Sequence, residues 1–263
     1  YLSLNVNSMF NRDHFYTKAE ENIFTDILGC APRHFRSYPV KISFKEANKK
    51  ALAFANHIEK NFSKIHDILI KYESHEVVTD EIARSLDLLR SLKENKKFFS
   101  RKVGQVVAFL PRNQPLYAFC CFAVVPALMS SKVQVKPPTA VHFFFFDLLK
   151  ALRVKHFIPN IFVSKKSREE FLKEVSAINF YPKTGETIPV TDVVIFTGTM
   201  ENADKVRRTF DTDVLFIANG AGHNPIVISK DANLHKAVQS VLRIQLYNQG
   251  QDCANANAIL VHA

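Results

Sequence analysis

The chain has 263 residues, of which 47% are hydrophobic and 23% charged, and its 35 Lys and Arg outnumber its 25 Asp and Glu for a formal net charge of +10. This composition excludes disorder as the dominant state and allows one large domain or two modest ones. The basic excess is spread thinly over residues 49–102 and 150–173 without a reader motif, so it describes a solvated surface that attracts phosphate-bearing small ligands, not a nucleic-acid stripe. No apolar run of about 18 residues spans a bilayer.

Residues 1–45 mix Asn, Phe, Arg and Pro without a sustained period and are expected to form an N-terminal arm with short strands. From Ser43 a helical pattern begins, with Ala47, Ala51, Leu52, Ala55, Ile58, Phe62, Ile65, Ile68 and Leu69 at three- and four-residue steps. Thr79, followed by Asp80 and Glu81, reads as the N-cap and acidic first turn of a second helix with the core face Ile82, Leu86, Leu89 and Leu92. The Lys-rich segment 93–102 reads as an exposed connection.

Strands and helices then alternate. Strands are expected at 103–110, 132–136, 157–163, 192–196, 214–217, 226–228 and 258–262. Helices are expected at 116–129, 140–152, 167–178, 201–210 and 233–247. Such alternation predicts an α/β fold, a mostly parallel sheet with helices on both faces and ligands bound at the carboxyl ends of its strands. The four consecutive rings Phe143 to Phe146 cannot all face one side of a helix and are assigned to core and interface packing.

Cys30, Cys120, Cys121 and Cys253 lack metal-ligand spacing, and the adjacent pair does not readily close on itself, so a reducing, cytoplasmic compartment is expected. No signal-peptide pattern opens the chain, although Tyr1 as first residue leaves a processed leader open. Only Cys253 stands among polar residues, in Tyr247 to Ala258, after a Gly-containing bend, as a nucleophile facing a cleft would. An ordinary exposed loop cysteine is the alternative.

Asn113, in Leu110-Pro111-Arg112-Asn113-Gln114-Pro115, follows an apolar strand and offers an amide to an oxyanion; the alternative is a polar turn residue. Lys136 ends the next strand, where it meets a ribose or phosphate or is simply solvated. Phe196-Thr197-Gly198-Thr199 places a glycine, hydroxyls and free N–H groups between a strand and a helix N-terminus, an arrangement able to hold a phosphate. Of only seven glycines, Gly198, Gly220, Gly222 and Gly250 fall in the last third, as close backbone approach to a ligand would require.

These pieces, with Pro126-Ala127-Leu128, Asn224-Pro225-Ile226-Val227-Ile228, Asp231 to Val238 and Asn248-Gln249-Gly250-Gln251-Asp252-Cys253, occur in the order and approximate spacing of the aldehyde dehydrogenase superfamily. The resemblance covers residues 45–263. It implies a Rossmann-like, NAD(P)-binding domain at 46–247 and the start of a catalytic domain at 248–263, the remainder being absent.

It further implies an NAD(P)-dependent oxidoreductase acting on an aldehyde or acyl thioester. Cys253 resembles the family's nucleophile, which reacts through a thiohemiacetal and a thioester, and Asn113 resembles the side-chain donor to the oxyanion. Lys136 resembles the lysine on the adenosine ribose. Phe196, Thr197, Gly198, Thr199 and Gly220 resemble the cofactor-binding turns. Thr139 stands where NAD-preferring members often have a glutamate, so NADP is admissible beside NAD.

Asn219 stands in the segment that matches the general-base glutamate of hydrolytic members, and an amide cannot take a proton from water. The adjoining Gly220-Ala221-Gly222 is similar to the acylating members, in which coenzyme A resolves the thioester, while Asn248 to Cys253 is similar to the hydrolytic ones. The acylating class is the expectation, with no nucleic-acid or membrane partner and a homo-oligomer when full length. The alternative is a truncated, catalytically inactive nucleotide-binding or interaction module.

Overall fold

The computed structural model describes residues 42–99, 102–182, 185–220 and 222–262. Most of the expected N-terminal arm, and Cys30 with it, lies outside the described residues. Helix α1 (Phe44–Lys60) starts at Ser43, whose hydroxyl accepts the Glu46 N–H at 3.4 Å, and buries Ala47, Ala51, Phe54, Ala55 and Ile58 on one stripe. It breaks at Asn61 into α2 (Phe62–Leu69).

Helix α3 (His75–Arg90) begins four residues before Thr79. Ser74 is its N-cap and accepts the Val77 N–H at 3.4 Å, whereas the Thr79 hydroxyl donates to the His75 carbonyl at 2.8 Å. A serine one turn upstream offers the same capping chemistry, and only the chain trajectory out of Glu73 selects between them. The 3-10 run Ser91–Phe98 that follows is largely exposed, as expected of the Lys-rich connection.

The central sheet has the order β3-β2-β1-β6-β7, made of β1 (Val103–Phe109), β2 (Ser130–Lys136), β3 (Ile161–Val163), β6 (Val193–Thr197) and β7 (Leu215–Asn219), with every pairing parallel. Pleating sends alternate residues to opposite faces. Val106 and Ala108 join Val133, Val135 and the residues of α1 to α3 in one core, while Val107 and Phe109 join Phe171, Val175, Val194, Phe196, Ala203 and Val206 in the other. Burial on both faces explains why β1 reads as a nearly continuous apolar run.

The helix expected at 116–129 is present as α4 (Pro115–Phe119), a π turn (Cys120–Val124) and α5 (Val125–Leu128). The widened turn runs directly into the segment holding Pro126, which has no N–H to give the preceding turn. Downstream, a 3-10 turn at Thr139–Val141 leads into α6 (His142–Leu152). Within α6 Phe145 is fully buried and Phe143 is 88% exposed, so the four rings divide between core and surface.

The strand expected at 157–163 is shorter. Val154–Phe157 forms the helical turn α7, and β3 starts at Ile161. Helix α8 (Arg168–Val175) has a full capping box between Ser167 and Glu170 and stops before Ile178, which opens a hairpin, β4 (Ile178–Tyr181) with β5 (Glu186–Pro189), that the sequence reading missed. Gly185 supplies the positive φ of +71° in its turn.

After β6 come α9 (Met200–Arg207) and β7, then β8 (Pro225–Ile228), α10 (Leu234–Leu246) and β9 (Ala258–Val261). β8 and β9 pair in parallel with each other in a two-stranded sheet of their own. No residue of α10 is buried, and Leu234, Val238, Leu242 and Leu246 are exposed along it.

Candidate active site

Because the five strands are parallel, their carboxyl ends form one edge. The chain runs from β1 outward to β2 and β3, then returns to β6 and β7 on the other side of β1, which opens a crevice between the ends of β1 and β6. The register pairs Phe109 with both Lys136 and Phe196, and Thr197 with Asn219, so the expected site residues of four strands share this edge.

Lys136 is buried except for a margin of 9%, donates from Nζ to the Lys166 carbonyl at 2.6 Å, and burial pushes its ammonium below the usual value. Thr139 is exposed and opens the 3-10 turn. Phe196 is buried between Phe109 and Phe216. Gly198 donates its N–H to the Asn219 carbonyl at 3.0 Å, and a Cβ there would meet the Phe196 ring at 3.0 Å. Thr199 caps α9, its hydroxyl accepting from Asn202 N at 3.4 Å. Asn219 ends β7, and its amide donates to the Thr197 hydroxyl at 3.5 Å. At Gly220 a Cβ would stand 2.7 Å from Met200 Sδ, the flexible end of a side chain.

Asn113 and Cys253 belong to two segments laced together by their neighbours. Arg112 Nη2 donates to Gln251 Oε1, and Gln114 Nε2 donates to Asp252 Oδ2. Asn113, between the two donors, is half-buried, and its amide makes no hydrogen bond among the described residues. Cys253 is exposed, and its carbonyl accepts from Asn224 Nδ2 at 2.8 Å. Asn257 Nδ2 donates to the Gly222 carbonyl at 2.8 Å, so the segment after β7 is bound to Cys253 and to the residues that follow it.

The groups behind these two segments were not identified from the sequence. Gln114, Asn248 and Gln249 hold positive φ of 50°, 49° and 56°, three of the four non-glycine residues among those described to do so. Such conformations each cost on the order of 1–3 kcal/mol and persist where their surroundings impose them. For Gln114 and Asn248 the imposing group is Glu73, whose Oε1 accepts from Gln114 N at 2.8 Å and from Asn248 Nδ2 at 3.0 Å.

Glu81 corrects an expectation. It does not serve the first turn of its own helix; fully buried, it accepts the N–H groups of Leu116 at 2.6 Å and Tyr117 at 2.9 Å, the positive end of α4. Asp80 likewise turns outward to Arg84 at 2.9 Å and to the Tyr247 hydroxyl at 2.7 Å. One signal was available: Glu81 falls on the stripe of Val77, Val78, Ile82 and Ser85, where a carboxyl requires a partner.

Across residues 58–263 the sequence matches the model of the aldehyde dehydrogenase family. The chain belongs to that family. Among curated relatives of this aldehyde dehydrogenase family chain is the lactaldehyde dehydrogenase of Methanococcus aeolicus, 28% identical over 169 residues, which cover 60% of this chain and 33% of the relative. The chain thus spans about a third of that protein's length.

The fold is shared with solved structures. Betaine aldehyde dehydrogenase from Staphylococcus aureus superposes with a TM-score of 0.71 at 19% identity, covering 90% of this chain and 49% of that one. Glyceraldehyde-3-phosphate dehydrogenase GapN from Methanocaldococcus jannaschii, complexed with NADP, gives 0.68 at 17% identity, covering 90% and 54%. Among the described residues of the family chain no helix is long and apolar enough to cross a membrane, and no cluster of His, Cys, Asp and Glu is arranged to hold a metal ion.

The electrostatics at Cys253 are unfavourable to a free thiolate. Although the residue is exposed, desolvation by the packed segment raises the thiol, and the Asp252 carboxylate raises it further.

Proposed function

We propose that this chain carries the cofactor-binding part and the nucleophile of an NAD(P)-dependent aldehyde dehydrogenase. The lacing of Arg112 to Gln251 and of Gln114 to Asp252 carries the reading, because it joins the segment of a free amide donor to that of an exposed thiol at the carboxyl edge of a parallel sheet.

In this reading the exposed Cys253 thiol gives its proton to solvent water, and Sγ forms a bond to the aldehyde carbon as the C=O π electron pair moves to the oxygen. Asn113 donates its amide N–H to the oxygen that gains the charge. The elevated thiol makes departure of the proton the step these surroundings leave uphill.

The residues at the edge fit a dinucleotide. Among the described residues Lys136 has one acceptor, the Lys166 carbonyl, for its three N–H donors, and Gly198 brings the backbone to the surface without a side chain. Lys136 and Thr139 would face the adenosine ribose, with Thr139 adding no carboxylate to oppose a 2′-phosphate. Phe196, Thr197, Gly198, Thr199 and Gly220 would line the pyrophosphate. NAD or NADP held by these residues would supply a hydride acceptor.

Asn219, an amide engaged with Thr197, favours transfer of a Cys253 thioester to coenzyme A over hydrolysis. The raised thiol favours a second reading, a nucleotide-binding or interaction module without turnover. Nicotinamide reduction with a panel of aldehydes, with and without coenzyme A, tests all three using wild type, Cys253→Ala and Asn113→Ala. Turnover that needs coenzyme A and both residues supports the acylating reading. Turnover without coenzyme A overturns that subclass, full turnover by Cys253→Ala overturns the nucleophile, and nucleotide binding without any turnover selects the module.

A further inference from the structure

Glu73 and Glu81 are buried to 4% and 0% exposure and lie behind the two segments of the candidate site. Each spends one oxygen outward. Glu73 Oε1 receives Gln114 N and Asn248 Nδ2, and Glu81 Oε1 receives Leu116 N and Tyr117 N. The second oxygen of each, Oε2, is buried and meets no donor elsewhere among the described residues.

The two carboxyls face each other, and an opposed pair of buried oxygens is satisfied only if one carries a proton and donates it. Glu81 is the one to hold it. Burial and the Glu73 carboxylate both favour its neutral form, while Glu73 must stay an acceptor toward two donors.

We infer that Glu73 and Glu81 form a singly protonated carboxyl pair that positions the Asn113 turn and the Cys253 segment as one unit. A single oxygen, Glu73 Oε1, holds Gln114 and Asn248, both at positive φ. Gln114 follows Asn113 directly, and Asn248 opens the polar run that ends at Cys253. Neither carboxyl is a catalytic residue; both are positioning residues, and the role rests on the candidate site proposed above.

The test is amide hydrogen exchange mapped by peptide on the wild type, Glu73→Gln, Glu81→Gln and the double variant. In either single variant one side chain still donates to the other, so exchange at 112–117 and 247–253 is expected to stay within about twofold of wild type. In the double variant both outer oxygens remain occupied and two NH2 groups oppose each other. Unsatisfied buried donors of this kind correspond to acceleration of about ten- to a hundredfold in both segments together, with the β1 and β2 amides unchanged.

A double variant no faster than the faster single, or one that loosens β1 and β2 equally, overturns the inference. Should the double variant fail to fold, Asn248→Gly keeps the positive φ and removes one donor to Glu73. Acceleration at 112–117 as well as at 247–253 then supports the coupling, and a change confined to 247–253 sinks it. Exchange reads the coupling whether or not aldehyde oxidation is found, so failure of the enzymatic reading is seen separately in the turnover assay.

Discussion

The backbone of Gly222 passes so close to Cys253 that a Cβ on residue 222 would stand 2.0 Å from the Cys253 carbonyl oxygen. The same Cβ would lie 2.3 Å from Asn224 Nδ2, the group that donates to that carbonyl. Glycine is required here by crowding against another backbone. Gly222→Ala is therefore expected to displace the Cys253 segment and cost about 1–3 kcal/mol of stability. Thermal unfolding and peptide-mapped alkylation of Cys253 are the measurements, and an unchanged midpoint with an unchanged rate would refute the contact.

Desolvation and then the Asp252 carboxylate raise the Cys253 thiol. Its alkylation by a neutral reagent should keep rising beyond the ordinary thiol value of about 8.5, and Asp252→Asn should move the midpoint down. Because the folded value lies above the unfolded one, the stabilisation from this group is present below the unfolded value and lost as pH rises through the folded one. A wild-type midpoint at or below that of a free thiol would contradict the electrostatics. Peptide mapping separates this signal from buried Cys120 and half-buried Cys121.

Burial, followed by the Glu73 carboxylate, holds the Glu81 carboxyl well above the usual carboxylate range. Above the unfolded value of about 4.3, the unfolded chain has released a proton that the folded chain retains. Stability from this group is thus full below that pH and falls as pH rises toward the folded value. Glu81→Gln removes the titrating proton, so the urea midpoint of the wild type relative to the variant should decline as pH rises above the unfolded carboxyl value. A difference that stays flat or grows with pH means that Glu81 is ionised in the folded chain.

The helix start is open to a simpler experiment. Ser74 caps α3, and Thr79 lies inside it with its hydroxyl on the His75 carbonyl. Ser74→Ala should cost about 1 kcal/mol, whereas Thr79→Ala should stay within about 0.5 kcal/mol. Chemical denaturation of the two variants decides between the two caps, and the reverse order would place the helix start at Thr79.

The alternating apolar runs determined the α/β class, because a strand buried on both faces and a helix buried along one stripe leave different periods. β1, β2, β6, α1 and α6 were legible for that reason, as were the polar setting of Cys253 and the strand-end positions of Asn113, Lys136 and Gly198. Boundaries suffered where local chemistry was degenerate, as with two capping hydroxyls a turn apart, or where an apolar stretch was short, as at Phe157 and at the hairpin β4 and β5. Only the tertiary structure decided what Glu73, Glu81 and Gly222 are for. Their partners, Gln114, Asn248, Leu116, Tyr117 and the Cys253 carbonyl, all lie dozens of residues away in the chain, and Asn248 more than a hundred from Glu73. A buried carboxyl reveals its protonation through the groups that face it, and a glycine its necessity through the backbone that crosses it; both are set by packing between segments remote in sequence.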